Sequence, residues 1–130
     1  MSRPVRFIHA ADLHLDAPFT GIDATDDRVR AALVDATYAA FERVVDACLE
    51  HDVDFLVIAG DLYNAADKSR QAQQRFAAAA ERLAQDGIEV FVVHGNHDPA
   101  SGWSAGLPLP ETVHVFSSRD VERVEVDRLG

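Results

Sequence analysis

Three short apolar runs, Val5 to Ala10, Phe55 to Ala59 and Glu89 to Val93, are rich in β-branched and aromatic residues. Their length and composition predict three buried strands. Between the first two, Val29, Leu33, Ala36, Ala40, Val44 and Cys48 recur at spacings of three and four, so Asp26 to Glu50 reads as an amphipathic helix with Asp26 or Thr25 as its cap. Between the second and third, Ala72, Phe76, Ala79, Ala80 and Leu83 repeat that period across Ser69 to Gln85, and Gly87 supplies a C-terminal cap. The order strand, helix, strand, helix, strand packs most simply as a parallel sheet with right-handed crossovers. Farther on, the Pro/Gly/Ser-rich stretch Pro99 to Pro110 reads as a loop, Val113 to Phe116 as a fourth strand, and Val121, Val124 and Val126 as a half-exposed fifth.

Each of the three main strands runs directly into metal-competent polar residues: Asp12 and His14, then Gly60 and Asp61, then Gly95, Asn96, His97 and Asp98. In an open parallel sheet, residues just past the C-terminal strand ends gather along one edge, where α/β folds hold ligands. Asp12 and His14, two apart on an extended segment, would point to the same side and share one cation. Asp61 has two oxygens and can bridge two cations, Asn96 offers a neutral carbonyl oxygen to the second, and glycines 60 and 95 let the backbone approach closely. Each motif alone is weak, because Asp-x-His is common and Gly-Asn-His-Asp-Pro makes a good turn. Their succession, each after a strand, is what points to a site.

Composition narrows the chemistry. The 130 residues fit one domain, and the single cysteine, Cys48, excludes disulfides within the chain and thiolate clusters, so a metal must rely on His, Asp, Glu or Asn. No apolar run reaches the roughly 18 to 20 residues of a membrane helix, and the N-terminus lacks a signal-peptide core, which makes the cytoplasm the expected setting and no membrane an expected partner. With 22 acidic residues against 12 basic and a net charge of −10, a broad polyanion-binding face is disfavoured. Bound cations can nonetheless invert the field of an acidic pocket toward phosphate esters. His9, inside the first strand, reads as a satisfied core residue or one supporting the metal ligands, and His94, just before the loop, similarly; His51 reads as a helix-end residue, His114 as part of a strand face, Cys48 as core and Trp103 as a loop anchor.

The set Asp12-Leu13-His14, Gly60-Asp61 and Gly95-Asn96-His97-Asp98 resembles the calcineurin-like metallophosphoesterase superfamily. The runs Phe7 to Asp16 and Ala59 to Tyr63 look most like its DNA repair exonuclease branch, the SbcD-like proteins. The resemblance implies an α/β/β/α sandwich, residues 1–130 being the N-terminal portion of a single metallophosphoesterase domain that supplies the first, largely parallel sheet with its helices. It implies a phosphodiesterase, a DNA repair exonuclease working by a two-metal mechanism, with Asp12 and His14 on the first ion, Asp61 bridging and Asn96 on the second. His97 would act on the scissile phosphate or leaving oxygen, and Asp98 would orient it. Implied cofactors are two divalent ions, Mn²⁺ before Fe or Zn. DNA is the implied substrate, and an SbcC-like ATPase partner and a homodimer are compatible with it. Two departures stand out: the family's later single His and Gly-His-x-His motifs do not occur, and Asn64 stands where double-strand-break repair members often carry histidine. Alternatives are a metallophosphoesterase of nucleotides or phosphoproteins, or a non-catalytic metal-binding or assembly module.

Overall fold

A computed structural model describes residues 3–15, 27–62, 70–93, 109–116 and 120–126. The described elements are β1 (Phe7–Ala10), α1 (Asp27–Glu50), β2 (Phe55–Ala59), α2 (Arg70–Gln85), β3 (Glu89–Val93) and β4 (Val113–Val115). The strands form one sheet in the order β1-β2-β3-β4, every neighbouring pair parallel. The α/β reading and the parallel sheet are therefore correct, as are the bounds of β2 and β3. The expected caps Thr25 and Asp26, and Ser69, lie outside the described residues.

One face of the sheet holds the core. Leu56, Ile58, Val90 and Val92 join Tyr38, Phe41, Val45 and Cys48 of α1 and Ala72, Phe76, Ala79 and Leu83 of α2 in a single buried cluster. The α2 stripe is the one its period predicts. On α1 the stripe is rotated from the expected one: Ala36, Ala40 and Val29 are exposed, and Tyr38, Phe41 and Val45 are buried with Cys48. Aromatic side chains bury far more area than alanine, so they decide which side faces inward. Burial pushes the Cys48 thiol up to about 11, which keeps it protonated and inert at neutral pH.

Both helices end in the same backbone device. In α2, Gly87 donates to the Ala84 carbonyl and Ile88 to that of Leu83, with Gly87 at φ 72°. In α1, Asp52 donates to Leu49 and Val53 to Cys48, and Asp52 takes the left-handed position at φ 47°. These are Schellman closures that turn the chain straight into the next strand.

The opposite face carries an aromatic row. Phe7 stacks on Phe55 with centroids 5.1 Å apart, Phe55 meets Phe91 edge-on at 5.6 Å, and Phe91 lies against Phe116 at 6.1 Å. Phe7 is 54% exposed, and among the described strands β1 lies at the edge of the sheet, not buried as its composition suggested; His9, on the same face, is likewise exposed and is not a core residue. Residues 121–126 form no strand. Val124 and Val126 instead line a groove of about 240 Å³ with Phe55, Val57, Phe91 and Phe116, and Glu122 pairs with His114 at 2.9 Å. Among the described residues no helix is long and apolar enough to cross a membrane.

The start of β1 is held by Asp54, whose side chain has no accessible surface. One carboxylate oxygen accepts from the Arg3 guanidinium at 2.6 Å, the other from the Arg6 amide at 2.9 Å, and the Asp54 amide donates to the Arg6 carbonyl at 2.7 Å. The Asp54 partner holds the Arg3 guanidinium above its usual range. By contrast, Arg82 reaches from α2 to Glu42 and Asp46 of α1 at 2.9 and 3.0 Å in largely exposed surroundings. Asp54→Ala should lower unfolding stability by about 1–3 kcal/mol, because the part-buried bonds from the Arg6 amide and the Arg3 guanidinium to the carboxylate are both lost. Arg82→Ala should cost less than about 1 kcal/mol. Urea denaturation of the two variants checks the order, and equal losses would show that the Asp54 clamp is no stronger than a surface pair.

Candidate metal centre

The site begins where β1 and β2 stop. Beyond Ala10 opposite Ile58, three further bonds join the two segments: the Asp12 amide donates to the Gly60 carbonyl at 3.1 Å and, after a shift of one residue, His14 donates to Asp61 at 2.9 Å and Leu15 to Leu62 at 2.8 Å. Asp12 and His14 are thereby laid against Asp61 although 49 and 47 positions separate them in sequence (61 − 12 and 61 − 14). Leu15 and Leu62, each directly after one of these polar residues, have no accessible surface and belong to the core under α1 and α2.

A donor atom of Asp12, one of His14 and one of Asp61 all lie within 4.8 Å of one another. Donors bound to one divalent ion at roughly 2.0–2.2 Å lie at most about 4.4 Å apart, so small side-chain rotations suffice to close this set on a cation. Two carboxylates and an imidazole are hard or borderline donors that suit Mn²⁺, Fe²⁺ or Zn²⁺. His14 and Asp61 are half-buried and Asp12 is exposed, which leaves the cluster open on one side.

Asp12 and His14 do not converge by strand alternation, as an extended backbone would require. Both are left-handed, at φ 56° and 46°, and Asp61 is too, at φ 53°. Asp52 is the one other non-glycine residue in that region among the described residues, so the unusual backbone concentrates on the cluster. Gly60, at φ 90°, precedes Asp61 and places its carbonyl against the Asp12 amide. Such conformations cost non-glycine residues roughly 1–2 kcal/mol each. They persist where the surroundings hold them, and they cluster at functional sites. Sequence spacing identifies the residues, but the turn that aims them has no counterpart in a period-two pattern.

Asn96, His97 and Asp98, together with Gly95, Asn64, His94 and Trp103, lie outside the described residues. Cys48 is buried in the core and does not belong to the donor group.

A parallel sheet that gathers carboxylate and imidazole donors at the C-terminal ends of adjacent strands defines an α/β protein with a candidate cation site at that edge. The chain belongs to the calcineurin-like phosphoesterase family, whose pattern matches residues 5–127. It is 42% identical over 118 residues to the uncharacterized metallophosphoesterase YhaO of Bacillus subtilis, covering 91% of the chain and 29% of that relative. The DNA double-strand break repair protein Mre11 of Archaeoglobus fulgidus is 31% identical over 119 residues, covering 92% of the chain and 25% of the relative. One subunit of the nuclease SbcCD, from Staphylococcus saprophyticus, is 26% identical over 118 residues, covering 90% and 29%. The chain thus spans less than a third of the length of these relatives.

The left-handed backbone yields a prediction independent of any ion. With a chelator present, Asp12→Gly should raise stability by about 0.5–1 kcal/mol, because glycine adopts φ near 56° without the Cβ clash, while Asp12→Ala should not. Urea unfolding in EDTA measures both, and a destabilised glycine variant would mean that Asp12 itself holds the loop.

Proposed function

We propose that the protein carrying this chain is a metal-dependent phosphodiesterase acting on DNA, an exonuclease that uses two divalent cations, with Mn²⁺ as the native metal. The observation that carries this reading is the convergence of Asp12, His14 and Asp61 on one edge of the parallel sheet of a calcineurin-like phosphoesterase. The DNA substrate is supported by relatives named for double-strand break repair and for a nuclease. The naming of the latter as one subunit of a larger enzyme supports an SbcC-like ATPase partner, and a homodimer belongs to the same proposal.

In this reading Asp12 and His14 hold one ion, Asp61 contributes to both and Asn96 to the second. A divalent cation supplies, when bound, polarisation of a phosphoryl oxygen and activation of water at neutral pH. His97 donates a proton to the leaving oxygen, and Asp98 orients its imidazole and favours the charged form. The charge balance supports the dependence on cations: a chain at −10 repels a phosphodiester unless positive charge is brought into the pocket. A second reading, action on nucleotides or phosphoproteins, is favoured by the 42% identity to a metallophosphoesterase whose substrate its name does not give.

Two experiments separate these readings. In the complete protein, His97→Ala should lower kcat on linear duplex DNA by about 10² to 10⁴ with metal content intact by elemental analysis, whereas Asp61→Ala should lose both metal and turnover. Loss of metal in the His97 variant would make His97 a ligand, and hydrolysis confined to nucleotides would overturn the DNA assignment. Residues 1–130 alone should turn over little or no phenyl phosphodiester, and their affinity for duplex DNA should require added Mn²⁺. Submicromolar DNA binding in chelator would refute the electrostatic part of the proposal.

A further inference from the structure

We infer that Leu15 and Leu62 are positioning residues for the metal centre, setting the approach of His14 to Asp61 from the core side; this rests on the cation-binding reading above. The two ligand loops have the same construction: a left-handed donor residue, His14 or Asp61, followed immediately by a leucine with no accessible surface. The leucines are joined to each other, the Leu15 amide donating to the Leu62 carbonyl at 2.8 Å, and both belong to the cluster formed by α1, α2 and the inner face of the sheet. The donors sit one peptide away, where His14 also donates to Asp61 at 2.9 Å. Each loop is thus fixed at a buried point adjacent to its donor.

A cation tolerates errors of only about 0.5 Å in donor placement, and an unfavourable backbone conformation persists only while its surroundings hold it. The amide bonds fix the spacing of the two loops along the sheet. The leucine side chains fix their depth, and with it the plane in which the imidazole and the carboxylate face each other. Shortening Leu15 removes the plug that keeps the His14 turn from relaxing toward an ordinary backbone. The donor set then widens without losing any donor.

Mn²⁺ affinity of the complete protein, read from the electron paramagnetic resonance signal of free Mn²⁺, and the visible spectrum of the Co²⁺-loaded form test the inference. Leu15→Ala should weaken Mn²⁺ binding about tenfold or more, the scale seen when groups behind metal ligands are removed, and should shift the Co²⁺ bands. Leu15→Met should restore both. Leu83→Ala, a truncation equally buried on α2, serves as the control and should leave affinity within about twofold, the loss being confined to stability. If Leu15→Ala does not fold, Leu15→Val supplies the same comparison with a smaller truncation. Unchanged Mn²⁺ affinity and Co²⁺ bands in the Leu15 variants would overturn the inference, as would an equal loss in Leu83→Ala. Wild-type protein that takes up no Mn²⁺ would remove the cation-binding reading itself, a result distinct from wild-type binding with unaltered variants.

Discussion

Four residue pairs, Phe7 with Phe55 through Ala10 with Ile58, fix the register of β1 on β2. Beyond the strands the pairing continues through Asp12 with Gly60 and then shifts by one residue, so that His14 bonds Asp61 and Leu15 bonds Leu62. A slip of one residue would exchange the two faces of β1, and the left-handed turns that lay Asp12 and His14 against Asp61 start from that register. The candidate site is therefore an extension of strand pairing rather than a feature of loops alone. Asp54 acts at the other end of the same pairing, where its carboxylate and amide grip the chain just before β1 begins.

The two faces of the sheet serve different ends. The inner face is conventional, with aliphatic side chains from β2 and β3 filling the space beneath two helices. The outer face is aromatic, and among the described residues Val124 and Val126 lie along it. Placing the donors at the strand ends, between these faces, gives them a rigid floor of leucine and an open side toward solvent.

Much of this is legible in the residues. The α2 stripe is readable because Phe76 and Leu83 leave no ambiguity about which side is apolar, and β2 and β3 because continuous apolar runs bounded by polar residues leave little choice of limits. The α1 stripe misleads because alanines and valines at helical spacing compete with Tyr38 and Phe41, whose greater area prevails. The edge position of β1 has no signature in composition, since an edge strand and a central one can carry the same apolar residues. Likewise, Asp12, His14 and Asp61 stand out by type and place. The left-handed turns that bring them together depend on hydrogen bonds between segments nearly fifty positions apart, which no local pattern encodes.

The position of β1 at the edge bears on how the molecule assembles. Its partner among the described strands, β2, lies across α1, so pairing the two closes a loop of some 48 residues, from Phe7 to Phe55. Contacts of such long sequence separation are slow to form, because loop closure precedes any gain from pairing. An edge strand is also the element most readily undocked by local opening. The donor cluster exists only when β1 is docked, since Asp12 and His14 travel with it and Asp61 with β2. A cation held there would act as a clasp on the described strand pairing of longest sequence separation, stabilising by mass action the docked state over the frayed one. In that sense the same ligands that would serve phosphate chemistry would also guard the register on which their own placement depends.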